Sequence, residues 1–147
     1  MAIALLPIVY LVYNMIYAAF AIPTGKWSDR IGRRKVLIAG FLFYAVTLAG
    51  FAFFATKTSM WILFALYGLY MALTNGVARA YVSDLVAERN RGTALGAYHA
   101  LIGITVLPAN LIGGFLWKYI NPSAPFIFGI VLSIVAAFLL ANVVKNR

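Results

Sequence analysis

Asp29, Asp84 and Glu88 are the only carboxylates in this chain, set against twelve lysines and arginines. Asp29 stands among five cations, Lys26, Arg30, Arg33, Arg34 and Lys35. An acid so placed can hold an arginine or a helix N-terminus in one arrangement and release it in another, which is the chemistry of a conformational latch. The plainer reading is a solvated basic turn. Gly25 and Gly32 bracket Asp29 and permit tight turns and close approach. Asp84 and Glu88 lie four residues apart, where two carboxylates on one helical turn would repel. A cation between them, Arg33 or Arg34, would relieve the conflict, and Arg91 belongs to the same charge network.

The remaining polar candidates are scattered through apolar sequence. Asn75 and Arg79 are one helical turn apart, so the arginine either binds a solute or snorkels to the membrane interface. His99 is the only histidine. With no cysteine in the chain and no carboxylate nearby it makes a poor metal ligand, which leaves a packed or a cavity-lining role. Tyr10, Tyr13, Asn14 and Tyr17 recur at i, i+3, i+4 and i+7, on one helical face. That face suits helix contact first and pore lining second. Gly92, Gly96, His99, Gly103 and Asn110 share another face, where small residues let helix backbones approach closely. No nucleophile, base and orienting acid occur together, so the sequence implies no enzyme, no cofactor and no metal site.

What must position these residues is a set of membrane helices. The chain is 65% hydrophobic and 10% charged, with a mean hydropathy of +0.95, whereas soluble domains are about half apolar and about a quarter charged. A bilayer core about 30 Å thick needs about 20 helical residues. Five stretches qualify: residues 3–22, 36–55, 60–80, 93–117 and 124–144. Strands of that length, with open edges in lipid, are excluded. The fold class is therefore all-α, a polytopic transmembrane helix bundle with no soluble domain.

The formal charge of +9 does not signal a nucleic-acid partner, because the cations cluster between spans. Ten fall in the first and third connections, at the C-terminal end of the third span (Arg79) and in the C-terminal tail, against Lys57 and Lys118 on the other side. The positive-inside rule then places those connections and the C-terminus in the cytoplasm and the N-terminus outside. An odd number of spans starting outside implies further helices upstream. The second and fifth spans carry few polar side chains and are expected at the lipid-facing periphery, with the first, third and fourth central. Pro108 should kink the fourth, and Pro125 suits the first turn of the fifth.

Gly25, Asp29, Arg30, Gly32, Arg33 and Arg34 fall as G-x-x-x-D-R-x-G-R-R, which resembles the loop signature of the major facilitator superfamily of secondary transporters. In that family the loop joins the second helix of each six-helix half to the third. Residues 66–119, with Arg91-Gly92-Thr93-Ala94 and Leu107-Pro108-Ala109, are similar to the tenth and eleventh helices of bacterial permeases. An N-terminal half would carry an arginine early in its fourth helix and G-P-x-x-G-G in its fifth, and neither is present. The resemblance thus implies helices eight to twelve, part of the C-terminal half, in the cell's inner or plasma membrane. It also implies a small-molecule solute, a lipid bilayer and the missing helices one to seven as partners, with transport by alternating access once those helices are supplied. The rival class is a non-transporting membrane module, a truncated permease that binds a partner.

The charge asymmetry generates a topology prediction. In this cysteine-free chain, a single cysteine at Asn90 should be shielded from an impermeant thiol reagent in intact cells, while one at Ser59 should react. Labelling of Asn90 from outside would reverse the orientation.

Overall fold

A computed structural model describes residues 6–143. Helices α1 (Leu6–Ile31), α2 (Arg33–Phe53), α3 (Ser59–Asp84), α4 (Arg91–Tyr119) and α5 (Ala124–Val143) follow in order, with a 3-10 turn at Glu88–Asn90 before α4. All five helices are long and apolar enough to cross a membrane, and no strand occurs among the described residues. The bundle expected from the apolar runs is therefore present.

Its boundaries correct the sequence reading at one important place. The segment expected to be a turn from Pro23 onward is helical as far as Ile31, and Pro23 lies inside α1. Hydropathy marks where a helix leaves the bilayer, not where it ends, and Lys26 and Arg30 are good helix formers that continue it. Gly25 is therefore an open helical position and not a turn. The reversal into α2 happens at Gly32 alone, whose φ of +101° is the only positive value among the described residues. A side chain there would be strained, which makes glycine the residue that fits. Helix α4 runs unbroken through Pro108.

Among the described residues, burial follows a different order from the expected centre and periphery. Helix α2, read as lipid-facing, packs against both α3 and α5 and buries Val36, Leu37, Gly40, Ala45, Thr47 and Leu48. Val36 and Leu37 join Val77 of α3 in the core, flanked by Phe41, Leu73, Tyr81 and Leu140. Helix α1 packs chiefly on α3. Helix α4, read as central, has no buried residue, and Gly92, Gly96, Gly103 and Gly113 meet nothing within 4 Å. The glycines that do allow close approach lie elsewhere. A Cβ on Gly68 would stand 2.6 Å from the Tyr13 carbonyl oxygen of α1, and one on Gly40 would stand 2.8 Å from Thr74 Cγ2. Gly50 faces Leu63 in the same way.

Hydroxyls tie the helices together where water is absent. Thr24 Oγ1 of α1 lies 2.8 Å from the Ala72 carbonyl of α3. Ser133 of α5, in a helix expected at the lipid-facing periphery, donates to the Phe41 carbonyl of α2 at 2.7 Å and is buried at 5% exposure. Ser123, just before α5, donates to the Ala52 carbonyl at 2.8 Å. Phe51 and Phe126 stack at 5.7 Å, and Trp117 of α4 meets Phe126 edge-on at 6.4 Å.

Gly68 is opposed by backbone, which cannot rotate away as a flexible side chain can. Gly68→Leu in the purified chain should therefore lower thermal stability by about 1–3 kcal/mol, the usual range for overpacking. Gly96→Leu, which enters open space, should leave it unchanged. Equal tolerance at the two positions would contradict the α1/α3 packing.

Candidate functional site: a shared arginine at the basic end and a polar cavity between α1, α3 and α4

The one-residue reversal at Gly32 puts the start of α2 directly beside the end of α1. Arg33 thereby sits four residues after Asp29 on a nearly continuous turn, and its Nη2 reaches Asp29 Oδ1 at 3.0 Å. Its Nη1 reaches Asp84 Oδ2, the last residue of α3, at 2.8 Å. A guanidinium is planar with five donors, so it can serve two carboxylates at once. One arginine of α2 thus joins the ends of α1 and α3. The Arg33 side chain is 26% exposed, against 61% for Asp29 and 52% for Asp84. The contacts are accessible to solvent, and each is worth at most about 1 kcal/mol.

Arg34 has a different task. Its Nε donates to the Leu140 carbonyl at 3.0 Å and its Nη2 to the Ala141 carbonyl, in the last turn of α5. The negative end of a helix dipole favours a cation there. Arg30 is exposed and takes part in none of the ion pairs among the described residues. An open cavity of about 520 Å³ lies beside the junction, lined by Gly32, Arg33, Arg34, Lys35, Tyr81 and Asp84 among others. The buried Tyr81 hydroxyl that borders it has no hydrogen-bond partner among the described residues.

The expected charge network divides in two. Helix α3 ends at Asp84, and Glu88 opens the following 3-10 turn, so the two acids do not share a helical turn and need no common cation. Glu88 instead pairs with Arg91 at 3.3 Å. Asp84 takes Arg33, one of the two arginines proposed from the sequence.

The cavity-lining candidates also separate. Tyr17 of α1, Asn75 and Arg79 of α3, and His99 of α4 line one open cavity of about 390 Å³, together with Tyr98 and Ile102. Arg79 Nε donates to the Asn75 carbonyl at 3.2 Å, and the Tyr98 and His99 rings meet edge-on at 5.3 Å. Tyr13 does not line this cavity. It stacks on Tyr67 of α3 at 5.4 Å, as helix contact requires. Asn14 donates to the Tyr10 carbonyl of its own helix at 2.8 Å, and Asn110 lies on the exposed α4 surface.

Sequence reasoning missed the aromatic seam that continues from Tyr13. Tyr67 lies 6.1 Å from Tyr44 of α2, and Tyr44 stacks on Tyr70 at 4.0 Å. The i, i+3 spacing of Tyr67 and Tyr70 on one helix was the available signal. It also missed Tyr98, next to His99, and the cap that Arg34 places on α5, whose backbone acceptors carry no mark in the sequence.

Comparison with known proteins identifies the family. The chain matches the Major Facilitator Superfamily over residues 2–146. It is 48% identical to an uncharacterized MFS-type transporter of Methanocaldococcus jannaschii over 95% of its own length and 35% of the relative's. It is 33% identical to the class E tetracycline resistance protein of Escherichia coli, over 79% of the chain and 28% of that protein. With multidrug resistance protein 1 of Bacillus subtilis it shares 30% identity, over 78% of the chain and 29% of that protein. The chain thus spans about a third of the length of these relatives. No solved structure matches it. A family match over nearly every residue, joined to five membrane-length helices, makes this a multi-pass membrane protein that belongs to the Major Facilitator Superfamily.

Proposed function

We propose that the chain supplies helices eight to twelve, in the C-terminal half, of a secondary transporter that moves a small organic solute by alternating access. The preceding helices provide the facing wall of the cavity. The basic end faces the cytoplasm of a cell whose inner or plasma membrane holds the protein. The observation that carries this reading is the Asp29–Arg33–Asp84 bridge. It closes one end of three helices with contacts weak enough to break and re-form. A latch worth on the order of 1 kcal/mol shifts a two-state equilibrium several-fold without locking it. The open α4 surface and the cavity beside it then await the wall that the preceding helices supply. The names of the Escherichia coli and Bacillus subtilis relatives, tetracycline and multidrug resistance, favour an exported drug-like solute.

The test joins this chain to the first two thirds of the Methanocaldococcus jannaschii relative and measures tetracycline and dye accumulation in cells lacking their own exporters. Accumulation should fall when the chimera is expressed. Asp29→Asn keeps the side chain's size, and its lost charge contributes little to orientation, which lysine and arginine dominate. At equal abundance in the membrane it should reduce export several-fold. Full export by Asp29→Asn would reduce the motif to a topology signal, and a well-inserted chimera that moves none of the solutes would contradict the export reading.

A further inference from the structure

The charge inventory leaves Arg79 in an unusual position. It lies inside the membrane-length helix α3, five residues before Asp84, or about 7.5 Å inward at about 1.5 Å per residue. All three carboxylates of the chain lie at the basic end, where they pair with Arg33 and Arg91. No acid of this chain remains for Arg79. Its Nε donates to the Asn75 backbone carbonyl, its two terminal amino groups have no hydrogen-bond partner among the described residues, and the residue lines the cavity. Arg79 is exposed and stands one residue before the end of the apolar run 60–80, where an arginine either snorkels to the interface or takes a counter-charge, and no acid of this chain supplies one.

We propose that the cavity between α1, α3 and α4 binds the anionic group of the transported solute, a carboxylate or a group of the same shape and charge, on the guanidinium of Arg79. The planar fork of arginine matches a carboxylate with two parallel N–H donors. Around it, the hydroxyls of Tyr17 and Tyr98 and the imidazole N–H of His99 are further donors, contributed by α1 and α4. Nothing lining the cavity carries a negative charge to oppose an anion. The rings of Tyr98 and His99, edge-on to one another, and the Ile102 side chain give the solute's apolar part a surface to rest on. A cavity of about 390 Å³ falls within the usual range for small-molecule sites, about 300–1,000 Å³. The inference deepens the transport reading and rests on it for the word solute, but binding is measurable without transport.

His99 is the only histidine, so its ring proton signal in a chain purified without a histidine tag reports on this cavity alone. Benzoate, benzamide and benzylamine share one ring and differ in charge. Titrating the chain in lipid nanodiscs should give a saturable shift of the His99 signal with benzoate, at least ten-fold weaker for benzamide and absent for benzylamine. Arg79→Gln should weaken the benzoate response at least ten-fold with helical content unchanged, and Arg79→Lys, which keeps the charge without the fork, should fall between. An equal response to benzoate and benzamide, no response to benzoate, or an Arg79→Gln variant that binds like the parent would each overturn the site. Failure of the chimera to export, with benzoate binding intact, would sink the transport reading and leave the anion site standing.

Discussion

Everything at the basic end of this bundle depends on a chain reversal compressed into one residue. Because Gly32 adopts a positive φ, α2 starts where α1 stops, and Arg33 falls between the carboxylate of α1 and the carboxylate of α3. A longer connection would let the two helix ends drift apart and leave Arg33 in solvent. The next residue, Arg34, then points the other way and caps α5. Two consecutive arginines thus bind three other helices through one reversal, one by ion pairs and one by backbone carbonyls. The difference has a mechanical consequence. Ion pairs at half-exposed acids exchange readily with water, whereas Arg34 holds two part-buried carbonyls at once. The geometry places the yielding contact between α1, α2 and α3 and the firmer one between α2 and α5.

That division agrees with the interior packing. Helices α2 and α5 are joined by Ser133 at the Phe41 carbonyl and by Phe51 against Phe126. Helices α1 and α3 are joined by Gly68 against the Tyr13 backbone and by Thr24 at the Ala72 carbonyl. Each pair is held through its length by small residues and hydroxyls, which is how helices associate where lipid is as apolar as the side chains. The Arg33 bridge is the polar link between the pairs at one end, with the tyrosine seam of Tyr13, Tyr67, Tyr44 and Tyr70 crossing between them deeper in the membrane.

The number and order of helices could be read from the sequence because apolar length is a direct measure of bilayer thickness. Burial could not. In water the buried face of a helix is its apolar face, but in lipid both faces are apolar, so the near-uniform α2 looked peripheral while Gly40 and Gly50 in fact seat it against α3. The glycine face of α4 looked central for the opposite reason, and in this chain it is open. Among functional residues, the Arg33–Asp84 pairing could be anticipated because three acids leave few choices. The Arg34 cap could not, since its acceptors are peptide carbonyls that every residue owns. Tyr17, Asn75, Arg79 and His99 were each marked by being polar in an apolar run. That they share one cavity, and that Tyr13, Asn14 and Asn110 do not, depends on helix rotation, which composition does not record.

The central claim is that one guanidinium couples the ends of α1 and α3, and a double-mutant cycle tests it most directly. Unfolding of the purified chain would be compared for the parent, Arg33→Gln, Asp84→Asn and the double variant. Because the two side chains are 26% and 52% exposed, a coupling of about 0.5–1 kcal/mol is expected, with the double variant losing less than the two single losses combined. Losses that simply add would mean that Arg33 and Asp84 act independently, and the bridge would not be what holds the helix ends together.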